Sequence, residues 1–267
     1  MNNSVLSSPA NPRIKSLVAL RNRRDRERTG TTRVEGLEEL STALDARVVP
    51  RALYHCPELT RGRPGAPEVV TRVRHTGAQV IECSRAAFEK AAYREGPDGI
   101  LAVVDAPGMA LADLNVAPGA LLLVAQGIEK PGNLGAMLRT ADAAGVGAVI
   151  AADPRTDWGN PNVIRASKGT VFTVPVASGT TAQALAWLAQ REYAIVATTP
   201  EASALHTETN LTGPVAVAVG TEKDGLDAEF FAAATTRVRI PMAGRADSLN
   251  AATAAAIVLF EAVRQRG

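Results

Sequence analysis

The chain has 267 residues, of which 46% are hydrophobic and 21% are charged, and its formal net charge is +2. This is the composition of an ordinary globular protein, and the length allows one large domain or two small ones. No apolar run approaches a membrane span and residues 1–12 lack the apolar core of a signal peptide, so we expect a cytoplasmic protein without a membrane partner. Two cysteines and three scattered histidines give no metal-ligand spacing, and we expect no metal site.

The first part of the chain is rich in arginine. Residues 12–28 read as one exposed helix with Leu17, Val18 and Leu20 on its buried side. A run of arginine on a helix is usually a solvated face, but the excess of base here is local in a near-neutral chain, which also favours a nucleic-acid surface. The planar, multi-donor head of arginine suits phosphate. The candidate nucleic-acid contacts in this segment are Arg13, Lys15, Arg21, Arg23 and Arg24.

Strands and helices alternate up to about residue 105, which predicts a small α/β domain. The predicted strands are 33–35, 48–54, 78–83 and 100–104, and the predicted helices after residue 36 are 37–46, 68–76 and 85–93. Proline and glycine near residues 107 and 118 mark a linker. We therefore expect a domain at 1–106, a linker at 107–118 and a second domain at 119–267.

The second part of the chain reads as a mostly parallel sheet covered by helices. Residues 121–125 form a continuous apolar run, as expected of a strand buried on both faces. Further strands are predicted at 147–152, 193–199, 214–219 and 237–240, and helices at 134–144, 180–190, 226–234 and 249–264. In such a sheet the ligand lies beyond the carboxyl ends of the strands.

Three polar clusters follow predicted strands in this part. They are the segments 133–139, 220–225 and 240–250. Each alone is compatible with a βα turn and a helix cap, since glycine and asparagine commonly serve turns. The glycine fingerprints of dinucleotide-binding and P-loop proteins do not occur, which disfavours a nucleotide-dependent enzyme on an ordinary doubly wound fold.

Together, the clusters resemble the three motifs of the SpoU/TrmH family of SPOUT RNA ribose 2′-O-methyltransferases. The N-x-G-x-x-x-R motif is matched by Asn133, Gly135 and Arg139, and G-x-E-x-x-G by Gly220, Glu222 and Gly225. The third motif, I-P-M followed by S-L-N and a small-residue helix, is matched by Ile240, Pro241, Met242, Ser248, Leu249 and Asn250.

The resemblance is close over residues 121–265 and looser over residues 10–105. Arg165, Ser167 and Gly169 match the family's R-x-S-x-G segment, and there Arg165 and Lys168 are further candidate RNA contacts. Residues 10–105 resemble the family's small RNA-binding domain, which has a ribosomal-protein-like α/β fold.

This resemblance implies a C-terminal sheet that threads a deep trefoil knot, an exception to unknotted topology. It also implies S-adenosylmethionine as cofactor, held largely by backbone groups of three loops. The expected cofactor-binding residues are Thr198, Gly220, Ile240, Met242, Leu249 and Ala252. The apolar members of this set also suit core packing, and both roles are compatible.

The implied reaction is attack of a ribose 2′-hydroxyl on the sulfonium methyl group. The expected catalytic residues are Arg139, Asn133, Glu222, Ser248 and Asn250. Family proposals make the arginine a general base, but guanidinium stays protonated in proteins, so we expect Arg139 to bind phosphate and the developing oxyanion. Glu222 is expected to fix its loop, and Ser248 either caps the last helix or contacts substrate.

The family completes its active site across a dimer, so we expect a homodimer through the C-terminal domain. The expected substrate is RNA, with 23S ribosomal RNA favoured over transfer RNA because relatives with an N-terminal domain often use it there. A catalytically silent RNA-binding relative is the alternative, and the five intact polar positions argue against it. The sequence does not identify the methylated nucleotide. It also does not distinguish a housekeeping modification from one that confers antibiotic resistance.

Overall fold

The computed structural model describes residues 5–221 and 223–267. The chain divides into two units, one of Met1–Pro107 with Asp157–Thr173 and the other of Gly108–Thr156 with Val174–Gly267. Residues 157–173, which the sequence assigned to the second domain, therefore cluster with the first unit. The functional domain boundaries at 106 and 119 stay a prediction.

The first unit is built on a small mixed sheet. Its strands are β1 (Thr31–Glu35), β2 (Ala52–His55), β3 (Gln79–Glu82) and β4 (Ile100–Asp105), in the order β1-β4-β2-β3. β4 pairs antiparallel with β1 and β2, and β2 pairs parallel with β3. The helices are α1 (Pro12–Ala19), α2 (Arg23–Thr29), α3 (Leu37–Asp45), α4 (Pro57–Thr60), α5 (Ala66–His75) and α6 (Arg85–Ala91). The predicted small α/β domain is confirmed.

Two predictions in this unit are wrong in detail. Residues 12–28 form two helices, because α1 ends at the Leu20 C-cap and α2 restarts after the extended residue Asn22. The strand predicted from residue 48 begins only at Ala52, since Pro50 lacks the N–H that a ladder needs.

The second unit is built on a parallel sheet. Its strands are β5 (Met109–Ala110), β6 (Leu122–Gln126), β7 (Ala148–Ala152), β8 (Val176–Gly179), β9 (Ala194–Thr198), β10 (Ala204–Leu205), β11 (Val215–Val219) and β12 (Thr236–Arg239). They lie in the order β10-β12-β9-β11-β6-β7-β8-β5, and every strand pair is parallel. The predicted parallel sheet is confirmed.

Helices follow several of these strands. They are α7 (Pro131–Ala143), α9 (Thr181–Gln190), α10 (Ala228–Ala233) and α11 (Ala251–Arg266), while α8 (Pro161–Ala166) belongs to the first unit. β6, β7 and β11 are buried along their whole length, as their apolar runs predict. Within the described residues, no helix combines the length and apolarity that crossing a membrane requires.

The sequence predicted neither α8 nor β8, nor the short elements α4, β5 and β10. The start of α8 does carry a local signal, because Asn160 accepts a hydrogen bond from the Asn162 N–H at 2.9 Å and Pro161 stands at the first helical position. The last helix begins at Ala251, two residues later than predicted.

Candidate functional site

A cavity of about 370 Å³ lies at the carboxyl ends of neighbouring strands in the second unit. β12, β9 and β11 are adjacent in the sheet, so the loops that follow them meet at one edge. The lining residues are Thr198, Thr199, Pro200, Glu201, Val219, Gly220, Thr221, Lys223, Asp224, Gly225, Phe231, Val238, Ile240, Met242, Asp247, Ser248, Leu249, Ala251 and Ala254. The cavity is thus walled by the three loops in which the sequence predicted a cofactor site.

The loop after β11 folds tightly back on itself. The Thr221 N–H donates to the Gly225 carbonyl at 3.0 Å, and the Gly225 N–H donates to the Thr221 carbonyl at 3.1 Å. A Cβ on Gly220 would lie only 2.0 Å from the Gly225 carbonyl carbon. Glycine is required at position 220 by the loop's own closure, rather than only by close approach of a ligand. Glu222 lies outside the described residues.

The loop after β9 is tied to both neighbouring strands. The Thr198 hydroxyl donates to the Ala218 carbonyl of β11 at 3.0 Å, and the Thr199 N–H donates to the Val238 carbonyl of β12 at 3.0 Å. The Thr199 hydroxyl also donates to the Glu201 carboxylate, and this bond lowers the pKa of Glu201. An ionised carboxylate therefore stands at the cavity wall.

The third loop ends at Asn250, which joins two helices. Its Oδ1 accepts from the N–H groups of Ala252 at 2.9 Å and Thr253 at 3.4 Å, so it caps α11. Its Nδ2 donates to Asn133 Oδ1, in the first turn of α7, at 3.1 Å. Two asparagines that are 117 residues apart in the chain therefore meet, a contact that the sequence did not predict.

The other predicted residues of this unit fall in different places. Ser248 lines the cavity, and the cap role that we considered for it belongs to Asn250. Ala252 is buried and is not among the described residues that line the cavity, whereas Ala251 and Ala254 are. Arg139 is exposed on α7 and is not among the described residues that line the cavity.

The sequence did not predict a polar network that joins the buried residues Gln126 and Thr181 to Asp227. Gln126, at the end of β6, donates to the Thr181 hydroxyl at 2.8 Å and to the Asp227 carboxylate, and accepts from the Asp227 N–H at 2.9 Å. Asp227 caps α10 through a 2.9 Å bond from the Phe230 N–H. The network fixes the exit of the Gly220–Gly225 loop. Its only sequence signal is a glutamine closing the apolar run 121–125.

The predicted RNA-contacting residues all lie in the first unit. Arg13, Lys15, Arg23, Arg24, Arg165 and Lys168 are exposed. Arg21 is half-buried and its guanidinium donates to the Ala92 carbonyl at 2.6 Å. Two further arginines are structural, because Arg26 pairs with Asp157 at 2.5 Å and Arg33 with Glu35 at 2.7 Å, both buried.

Comparison with known families matches both parts of the chain. Residues 120–260 match the model of the SpoU rRNA Methylase family. Residues 11–102 match the model of the MRM3-like substrate binding domain.

Individual relatives match over most of their length. A protein of Ralstonia nicotianae named 23S rRNA (guanosine-2′-O-)-methyltransferase RlmB is 36% identical over 71% of this chain and 78% of its own. A crystal structure of an RNA 2′-O ribose methyltransferase is 41% identical, with a TM-score of 0.85 over 98% of this chain and 99% of that one. An AdoMet-bound rRNA methyltransferase from Sinorhizobium meliloti is 30% identical, with a TM-score of 0.88 over 98% and 97%.

Proposed function

Because the chain belongs to the SpoU rRNA methylase family, we propose that it methylates a ribose 2′-hydroxyl of 23S ribosomal RNA with S-adenosylmethionine. The observation that carries this function is the cavity enclosed by the loops after β9, β11 and β12. These loops hold two of the three polar motifs, and the remaining one, N-x-G-x-x-x-R, is joined to them through the bond between Asn133 and Asn250.

The cavity fits S-adenosylmethionine chemically. Ile240, Met242 and Leu249 offer an apolar surface for adenine, and the carboxylates of Glu201 and Asp247 suit the cationic parts of the cofactor. When bound, the cofactor supplies a methyl group activated by a sulfonium. The tight loop at Gly220 and the ties of Thr198 and Thr199 keep the wall rigid, so little ordering is needed on binding.

Arg139 is the residue proposed to act on the RNA. Its exposed guanidinium presents a planar set of donors, which suits an RNA phosphate and the oxyanion that develops at the 2′-oxygen. The 2′-proton then leaves to phosphate or water. Alignment of the attacking oxygen supplies much of the rate, since oriented reactants can lower a barrier by about 7–11 kcal/mol.

The remaining polar residues are proposed to orient the RNA. Asn250 is hydrogen-bonded to Asn133 at the start of α7, the helix that carries Arg139. The position of Asn250 therefore affects the position of that helix. Ser248 at the cavity wall is proposed to contact the substrate. For Glu222 we retain a role in fixing its loop.

We propose that the chain works as a homodimer through α7 and α11. Arg139 is not among the described residues that line the cavity of its own chain, which is compatible with action at a partner's cavity. Thr253, Ile257 and Phe260 form a stripe at helical spacing along α11, and Phe260 is 48% exposed. Packing this stripe against a second copy would remove its apolar surface from water.

We further propose a cytoplasmic location and a knotted C-terminal chain, both carried over from family membership. Ribosomal RNA is preferred to transfer RNA because the first unit matches a substrate-binding domain. The catalytically silent alternative is disfavoured, since the cavity and the link between Asn133 and Asn250 are intact.

The test is methylation of unmodified 23S ribosomal RNA with labelled S-adenosylmethionine, followed by mapping of the modified ribose. We expect label at a 2′-hydroxyl. Arg139→Ala should lower kcat about 10²- to 10³-fold, as loss of an oxyanion donor does, with unchanged cofactor affinity in calorimetry. Label absent from every RNA would end the proposal, and near-full activity of Arg139→Lys would exclude a role for the planar guanidinium.

A further inference from the structure

Tyr93 is an exposed aromatic side chain in a chain with few aromatics. It follows α6 in the first unit and is 44% exposed, while aromatic residues make up only 4% of the sequence. It is among the large hydrophobic side chains that the described residues leave exposed. The part of the ring that contacts solvent is available to a partner.

The backbone at Tyr93 is anchored to a buried ion pair. The Tyr93 N–H donates to Glu35 Oε2 at 2.7 Å, and the Arg94 N–H donates to Glu35 Oε1 at 3.3 Å. Glu35 is in turn paired with the fully buried Arg33 at 2.7 Å. The buried ion pair therefore fixes the backbone of this exposed loop at Tyr93.

The ring itself is also held. Its hydroxyl accepts from Asn162 Nδ2 at 3.1 Å. The guanidinium carbon of Arg21 lies 5.7 Å from the ring centroid, and Arg21 is held by the carbonyl of Ala92. An aromatic ring that is fixed by its backbone, its hydroxyl and a cation loses little entropy when a flat partner stacks on it.

The surroundings carry the charge that RNA requires. The first unit has 19 lysines and arginines against 14 aspartates and glutamates, a net charge of +5, whereas the second has 10 against 13, a net charge of −3. Arg165 is exposed on α8, three residues after Asn162 and so on the same side of that helix. Cations around an aromatic platform are the usual surface for unpaired nucleotides.

We propose that Tyr93 is a stacking platform for an unpaired base of the RNA substrate, with Arg21 holding one side of the ring and the exposed Arg165 of α8 available to the phosphates. This rests on the proposed function for the identity of the partner as RNA. Sequence-specific RNA recognition targets bases that are splayed out of helices and stack on aromatic rings, and Tyr93 is built for that contact.

The test is the affinity of the full chain for an unmodified 23S ribosomal RNA transcript, measured over a salt series. We expect Tyr93→Ala and Tyr93→Leu to raise Kd about tenfold, as loss of one stacked base does, without changing the salt slope. Tyr93→Phe should bind within about twofold of the parent, because the ring face is retained. Arg165→Ala should instead make the dependence of log Kd on log salt concentration less steep, by about the amount expected for one lost phosphate contact.

Matched controls separate stacking from structure. Val49 is 61% exposed in the same unit, and we expect Val49→Ala to leave Kd unchanged. Thermal melting checks that each variant is folded. Unchanged affinity in Tyr93→Ala overturns the proposal. So does an equal loss in Tyr93→Phe, which would assign the effect to the bond with Asn162. A loss seen only with ribosomal protein in the assay would assign the surface to a protein partner and also overturn it.

The outcomes for the proposed function are separate. If the parent chain binds RNA through Tyr93 but transfers no methyl group, the proposed activity fails and the stacking site stands. If methyl transfer proceeds and Tyr93 variants bind RNA like the parent, the activity stands and the stacking site fails.

Discussion

Arg33 is a charged residue of β1 whose burial is compensated by its hydrogen-bond partners. Its side chain is fully buried, and burial lowers its pKa while the neighbouring Glu35 opposes that shift. The guanidinium donates to Glu35 at 2.7 Å and to the carbonyls of Leu17 at 3.2 Å and Ala91 at 2.7 Å. Residues two apart in a strand share a face, so the pair is formed within β1 itself.

We expect Arg33→Met to destabilise the first unit by about 3–5 kcal/mol, because it leaves the Glu35 carboxylate buried without its partner. Urea unfolding followed by tryptophan fluorescence measures this. Trp158 is buried in the first unit, so a Trp187→Phe background reports that unit alone. Arg33→Met/Glu35→Gln should recover part of the loss. A cost of less than about 1 kcal/mol for the single change would contradict this account.

At the scale of elements, Asn250 has two separable functions. Its Oδ1 caps α11 and its Nδ2 reaches Asn133 on α7. Asn250→Asp keeps the cap, since aspartate caps as well as asparagine, but it removes the donor. Asn250→Ala removes both.

We therefore expect Asn250→Ala to lower the free energy of unfolding by about 1 kcal/mol, while Asn250→Asp keeps parental stability. Both should lose methyl transfer if the link to Asn133 positions α7 for catalysis. Thermal melting and the labelled-methyl assay measure the two effects. Full activity in Asn250→Asp would show that the cap alone matters.

The elements also show what a sequence reveals. The apolar runs at β6 and β11 predict buried parallel strands because that signal is local, whereas the cavity wall at 240–250 was implied by the resemblance of three motifs taken together. Asp157–Thr173 could not be assigned to the first unit, since contacts such as the bond from the Thr32 hydroxyl to the Gly159 carbonyl join residues 127 apart. The burial of Arg26 and Arg33 within the arginine-rich segment could likewise not be predicted, because it depends on partners that no periodicity identifies.

At the scale of the whole molecule, the position of Arg139 has a consequence for assembly. The cavity lining and Arg139 belong to one chain, yet Arg139 is not among the described lining residues. Suppose that the arginine acts at the cavity of a second copy. A dimer of one chain that lacks Arg139 and one chain that lacks a usable cavity then has one complete site, made of the cavity of the first chain and the arginine of the second.

We expect Arg139→Ala and a cavity-filling Leu249→Trp each to be inactive alone and to regain activity when mixed. Random exchange makes about half of the dimers mixed, each with one intact site, so activity should reach roughly a quarter of the parental value. Calorimetry confirms that Leu249→Trp does not bind the cofactor, and light scattering confirms exchange. An arginine that acts within its own chain predicts no recovery, because neither variant then holds both parts of a site.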